Sequence, residues 1–368
     1  MSRTLLVSSH TPALGSGRGL RTYGLVRALA AHGPVDLLYT RFGPAEPAAA
    51  YREIPGLALH EVRPSRGLRR ALAFARARAG GVPSPLARGV SAEMARAGGR
   101  LEATADRVVA DDPMTAVALS GLARRRPVIY SAHNLESAFR TDWGPRERLQ
   151  AFERGILERS SESWMPSERD LEGARALAPG AVLRLVPNVV DVAAIAPAVA
   201  RPATPTAMFV ADFSYAPNRQ GLDFLLHEVL PRAWALVPDL RLRVVGRGID
   251  APEAVDPRVE FAGFVDDLDA AYASASCAVV PLLTGGGSPL KFVEALAHAL
   301  PVVATPRAAA GLRVRAGEHY LEGDGPAAFA EALAAAVSHE RGAAIAASGR
   351  SLAEREYSIE ALVTRVAP

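Results

Sequence analysis

Residues 277–305 read CAVVPLLTGGGSPLKFVEALAHALPVVAT, and the alternation in this stretch decides the fold class. CAVVPL and PVVAT are short apolar runs of strand character, and between them Leu290, Val293, Leu296 and Ala297 recur at helical spacing. Strand, helix and strand in that order make one unit of a parallel α/β sheet. Three glycines, Gly285, Gly286 and Gly287, precede the helix, with Ser288 suited to its N-cap and Pro289 to its first position. Lys291 is the only lysine in the chain; every other basic side chain among the 42 Lys plus Arg is arginine. A compact ammonium beside free helix amides and close-approaching glycine backbone is a cradle for a diphosphate. Glu294 lies three residues further on the same face, where a carboxylate can accept two hydrogen bonds from a vicinal diol such as a ribose. The alternative is an exposed Lys291–Glu294 ion pair beside a flexible loop, worth only about 0.3 kcal/mol.

Working outward, the residues before this stretch repeat its alternation. TAMFVAD, LRLRVVG and VEFAGF read as strands, with helices expected from Asn218 to Val237 and from Asp267 to Ala275. In the first half, TLLVSS, VDLLYT, ALHEV, RVVAD and PVIYSA are strands, and a helix runs from Leu20 to His32. Two doubly wound parallel sheets follow, joined by the aperiodic stretch APAVARPATPT at residues 196–206. The tail from Ala327 reads as two alanine-rich helices with a break near Arg341. Ligands of such domains bind at the carboxyl ends of the strands, so a cleft between the two is the expected site.

A chain of 368 residues, 49% hydrophobic, can fill two cores. No apolar run reaches the roughly 20 residues of a membrane span, and TLLVSS is too short for a signal-peptide core, so a cytoplasmic protein is expected. The lone Cys277 reads as a small buried residue. Net charge is only +3. Residues 63–81, RPSRGLRRALAFARARAGG, are locally basic without an acid; they read as a solvated helix with core contacts through Leu68 and Leu72, or as a peripheral contact with anionic lipid.

Other strand ends carry polar groups. Gly15, Gly17 and Gly19 lie between the first strand and first helix, where a glycine turn can press amides against phosphate, with Arg18 and Arg21 adding charge. The spacing departs from GxGxxG, and no acid closes the second strand, which disfavours a nicotinamide enzyme. His133 and Asn134 follow PVIYSA and can meet a sugar hydroxyl. Ser214, Asn218 and Arg219 follow the first strand of the second domain; Arg219 is a second phosphate candidate, and Asn218 is equally suited to an N-cap. No Walker loop, HExxH or GxSxG is present, and Asp267-Leu268-Asp269 suits helix capping better than metal binding.

Together FVADFSYAPN, VVGRG, VEFAGFVDDLDAAYASA and VVPLLTGGGSPLKFVEALAHALPVVATP resemble the C-terminal domain of the family-four, group-one glycosyltransferases of GT-B fold, in a subgroup with a GGG loop. LGSGRGLRTYGLVRALAAHG, YSAHNLES, SERDLEGARAL and LVPNVVD extend the likeness to the first half; residues 40–105 carry none of it. The resemblance implies two Rossmann-like domains facing across a cleft: residues 1–192 binding acceptor, 193–345 binding a nucleotide-sugar donor, and a C-terminal helix in 346–368 packing back on the first domain. It implies a retaining transfer, with no metal or other cofactor, to a glycan, a lipid-linked glycan or a small molecule, and no nucleic-acid partner. Glu294 would hold the ribose, Lys291 and Gly285–Gly287 the diphosphate, Gly17 and its neighbours a phosphate from the other domain, and His133 the donor sugar. Where many members carry a second glutamate, eight residues before Glu294, this chain has Gly286, and Ala299 and Ala211 stand where glycine is usual. The rival readings are a binding protein that kept the GT-B shell and a sugar-nucleotide epimerase.

Overall fold

The computed structural model describes residues 2–139, 142–198, 202–251 and 256–368. Residues 199–201 of the expected linker lie outside the described residues. The chain divides into two compact units, Met1–Val189 with Leu362–Pro368, and Val190–Ala361.

In the first unit, β1 (Thr4–Ser8), β2 (Val35–Thr40), β3 (Leu57–Val62), β4 (Arg107–Asp111), β5 (Ile129–Ser131), β6 (Glu162–Met165) and β7 (Leu183–Leu185) form one parallel sheet in the order β3-β2-β1-β4-β5-β6-β7. The central β1 and β2 are buried at every residue because crossover helices cover both faces. In the second unit, β8 (Thr206–Val210), β9 (Arg241–Val245), β10 (Val259–Gly263), β11 (Cys277–Val280), β12 (Val302–Ala304) and β13 (Leu321–Glu322) are also parallel, in the order β10-β9-β8-β11-β12-β13. Each sheet is doubly wound, with the order reversing between β1 and β4 and between β8 and β11. In doubly wound sheets the loops diverge at such points, which is where ligands bind, at the carboxyl ends of the strands. The two-sheet expectation holds, and β6, β7 and β13 are the strands it lacked.

Several boundaries differ from the sequence reading, each for a local reason. The first helix starts at Gly17, not Leu20, because Ser16 caps it through the Gly19 N–H at 3.2 Å. The helix expected from Asn218 starts at Ala216, and a π-turn at Leu225–Val229 precedes Pro231, whose ring supplies no N–H to the regular ladder. In the tail, Pro326–Val337 and His339–Glu356 meet at Ser338 instead of near Arg341, and a third helix spans Ile359–Arg365. The basic helix spans Leu68–Ala79 with Ala77 as its buried side chain; Leu68 is 76% exposed and Leu72 49%, so the leucines do not face the core. Cys277 is fully buried in β11, as expected. No helix among the described residues is long and apolar enough to cross a membrane.

The helix that carries Lys291, Leu290–Ala297, ends in a Schellman arrangement: the Leu300 N–H bonds the Ala295 carbonyl and the Ala299 N–H the Leu296 carbonyl. Ala299 therefore sits at φ 55°, where a Cβ is disfavoured. Ala299→Gly should relieve about 1–2 kcal/mol of that cost while giving back about 0.4–1 in unfolded-chain entropy. A net gain of roughly 0.5–1 kcal/mol in the urea unfolding of the second unit is expected, and a loss would refute the assignment of strain.

Candidate functional site

In the second unit the polar groups gather where the sheet order reverses. The helix Leu290–Ala297 begins one residue later than the sequence implied: Pro289, not Ser288, occupies the cap, and no side chain caps it. Ser288 lies in the preceding loop and is buried. The Phe292 N–H donates to the Pro289 carbonyl at 3.0 Å, and the Leu290 and Lys291 amides are left for another acceptor. Gly285 and Gly287 have φ of 95° and 81°, conformations that suit glycine. Their loop is anchored by Arg307, which donates to the Gly285 carbonyl, and by the Thr284 hydroxyl, 2.6 Å from Gln220 Oε1.

Lys291 is half-buried, with its Nζ 2.5 Å from Asn218 Oδ1 and 5.0 Å from the centre of the Phe209 ring. Asn218 Nδ2 in turn donates to the Asp212 carbonyl at 2.7 Å. Asn218 is therefore no N-cap: with the helix starting at Ala216, it ties the end of β8 to the lysine. The exposed-pair alternative also fails, since Lys291 and Glu294 feel each other's charge without ion-pair contact and neither is exposed. Burial brings the Lys291 ammonium down to about 7 and pushes the Glu294 carboxyl up to about 7. The buried Tyr272 hydroxyl lies beside Glu294 and favours its charged form, without hydrogen-bond geometry. His298 stacks on Tyr272, with ring centroids 4.3 Å apart, and its Nε2 is 3.2 Å from Asp269 Oδ1.

Ser214 donates to Asp212 Oδ1 at 2.5 Å, and Arg247 Nε to Asp212 Oδ2 at 2.9 Å. Gly246 makes this turn feasible, since a Cβ there would come within 1.7 Å of the Ala211 carbonyl oxygen. Arg219, exposed, donates to the Phe213 carbonyl at 3.0 Å. Asp267 caps its helix through the Ala270 N–H at 2.8 Å, as the sequence reading preferred.

In the first unit His133 is not solitary. Its Nε2 lies 2.9 Å from Asp111 Oδ1, and Thr22 Oγ1 donates to the other Asp111 oxygen at 2.6 Å. Burial would raise the Asp111 carboxyl, but His133, His10 and Thr22 together hold it below the ordinary range. His10, edge-on to His133 with centroids 6.1 Å apart, is brought down to about 3 by burial and stays neutral. Asp112 next to this cluster has φ 112°, a strained value outside glycine, and accepts hydrogen bonds from Ser9 and from the Thr115 N–H. The loop bearing His133 and the half-buried Asn134 is braced by Asp170, which accepts from the Leu135 N–H at 3.0 Å. Glu153, pushed up to about 7 by burial, accepts from the Glu136 and Ser137 N–H groups at 2.6 and 3.0 Å.

Two expectations for the glycine turn need correction. Gly19 is buried, its N–H is taken by Ser16, and a Cβ would strike the Ala13 carbonyl oxygen at 2.0 Å; packing, not an anion, requires glycine there. Arg21 is also buried, bonded to the Val186 carbonyl and Asn188 Oδ1 at 3.0 Å each, and offers no surface charge. Gly15 and Gly17 are exposed. Sequence reasoning missed Asp111, Asp112, His10 and Tyr272. VVADDP, a strand closing on two acids, carried the same strand-end signal as His133 and could have revealed the first two.

Residues 204–339 match the family model described as Glycosyl transferases group 1, which bears out the resemblance over that region. No curated protein sequence matches the chain. Among solved structures, sucrose-phosphate synthase (tll1590) from Thermosynechococcus elongatus superposes with a TM-score of 0.73 at 18% identity, covering 99% of this chain and 97% of that one. Anabaena Alr3699/HepE in complex with UDP and glucose gives 0.68 at 13% identity, covering 98% and 97%. TarM gives 0.70 at 9% identity, covering 99% and 97%. At these identities the likeness establishes the fold, which is GT-B.

The Lys291 environment makes a direct prediction. At pH 8 its ammonium, with a pKa of about 7, is mostly deprotonated in the empty site, and an anion bound beside it raises that pKa again. Pyrophosphate binding at pH 8 should therefore take up a proton and weaken as the pH rises above 7. Calorimetry in buffers of different ionisation enthalpy reads this directly; an enthalpy independent of buffer would contradict it.

Proposed function

We propose that this group 1 glycosyltransferase of GT-B fold moves a sugar from a nucleotide-diphosphate donor to an acceptor hydroxyl, with retention and without a required metal. One observation carries the reading. Lys291 stands at the start of a helix that no side chain caps, held by a neutral amide, within the residues matched by the family model. Such a point offers an amine that a bound anion brings back to full charge, the Leu290 and Lys291 N–H groups and the positive end of a helix dipole to one diphosphate.

Negative charge grows on the diphosphate as the glycosidic bond breaks, and a cation and amides already in place lower that barrier. Gly285, Gly286, Gly287 and Ser288 supply the neighbouring backbone, Ser214, Asn218 and Arg219 the opposite wall, and Glu294 the acceptor for the ribose hydroxyls. The acceptor attacks from the face the diphosphate leaves, which gives retention. In the first unit, proposed to bind the acceptor, His133 and Asn134 are the groups for a hydroxyl of the donor sugar, and the exposed Gly15 and Gly17 offer backbone amides to a phosphate. HepE in complex with UDP-glucose makes UDP the first nucleotide to try.

Gly286, in place of a carboxylate on the sugar face, is the observation that favours a binding-only protein instead. Release of free nucleotide diphosphate only when acceptor is present would argue against that reading and against epimerisation. Lys291→Ala and Glu294→Ala should each weaken UDP binding by about 2 kcal/mol, roughly thirtyfold, with the circular-dichroism spectrum unchanged. A calorimetric titration of UDP, GDP, ADP and dTDP tests this, and wild-type affinity from either variant would show the cradle to be misassigned.

A further inference from the structure

The first unit has a charged concavity within residues 40–105, whose sequence carries no motif of the family. It is an open cavity of about 700 Å³ at the carboxyl ends of β2 and β3, lined by Arg41, Phe42, Arg63, Arg66 and Arg70 among others. The arginines differ in their partners. Arg41 lies 3.1 Å from one oxygen of Glu61 and 2.5 Å from Glu46, and Arg63 lies 2.6 Å from the other Glu61 oxygen. Those contacts balance two of the guanidinium groups and hold them in place. Arg66 and Arg70 make no ion pair among the described residues. Arg70 keeps its guanidinium carbon 5.5 Å from the centre of the Phe42 ring, and that ring is 47% exposed.

Unbalanced guanidinium groups beside a presented aromatic face are the chemistry that recognises an anionic saccharide. The fork of an arginine matches phosphate oxygens, and the C–H face of a sugar packs on the ring. We propose that this cavity binds the phosphate group and adjoining sugar ring of a phosphorylated saccharide, the acceptor class for the transfer. The identification as acceptor rests on the reading above; the binding itself does not. A phospholipid headgroup carries the same phosphate, and Leu68 and Leu72 are exposed on the adjacent helix, but neither leucine lines the cavity. Its concave form and its pre-positioned Arg41 and Arg63 fit a discrete ligand better than a flat surface.

The test is a titration of the full chain with glucose 1-phosphate, inorganic phosphate and glucose, and co-sedimentation with phosphatidylglycerol vesicles, all in low salt. Glucose 1-phosphate should bind, inorganic phosphate more weakly, and glucose not at all. Arg66→Gln combined with Arg70→Gln should weaken glucose 1-phosphate at least tenfold, and Phe42→Ala should weaken it while leaving inorganic phosphate unchanged. Lys291→Ala, in the other unit, should leave this binding intact, which separates it from binding at the nucleotide cradle. Absence of glucose 1-phosphate binding, or binding that survives the arginine replacements, overturns the proposal. So does vesicle binding lost in Leu68→Ser with no saccharide phosphate bound, which would make the face a membrane contact. If UDP binds in the same preparation, the donor reading stands while this one falls.

Discussion

A parallel sheet sets the terms for everything else in this molecule. Each strand must return by a crossover before the next begins, so all strands of a sheet end on one edge. The strand interiors are covered on both faces and accept little but apolar side chains, as the uniformly buried β1 and β2 illustrate. Polar chemistry is pushed to the loops that follow the strands. His10, Asp111 and His133 follow or close β1, β4 and β5 in the first unit; Asp212, Ser214 and the glycine loop follow β8 and β11 in the second. The reversal of strand order then parts those loops and leaves room for a ligand.

Within that frame the two units treat buried charge in opposite ways. Asp111 is surrounded by His133, Thr22 and Ser131, so its charge is satisfied internally. Lys291 is given a neutral partner, Asn218 Oδ1, and an aromatic ring. A carboxylate in the place of Asn218 would cancel the ammonium and leave nothing for a bound anion. The amide orients the lysine and leaves its charge uncompensated, at the cost of a proton held less tightly than usual.

The fold was legible where strands were long and apolar enough to announce themselves. LLVSS, VDLLYT and TAMFV could be recognised alone. The strands ESWM, LRL and LE could not, because two to four residues carry no periodicity and their extended form is imposed by the strand beside them. Helix starts slipped by two or three residues wherever glycine or proline opened the first turn, at Gly17 and Ala216, since those residues look like loop. The proposed Lys291 cradle could be read from the sequence because its glycines, helix start and lysine lie in one continuous stretch, whereas Asn218 and Arg307, which brace it, come from elsewhere in the chain. The His133–Asp111 couple could not: Asp111 closes β4 and His133 follows β5, 22 residues on, and only the β4–β5 register brings them together. The arginine-lined cavity was hidden for the same reason, its walls coming from two loops joined by the β2–β3 pairing.

The burial of Lys291 also has a chemical consequence. Acylating and reductive-alkylating reagents attack the neutral amine, and this ammonium gives up its proton near pH 7. No other side-chain amine exists in the chain, because arginine stands at every other basic position. Apart from an N-terminal α-amine, the protein therefore carries one amine for such reagents, situated in the proposed cradle itself. The rate of labelling would then report on occupancy without any engineered residue, because a bound diphosphate would shield the amine and hold it protonated.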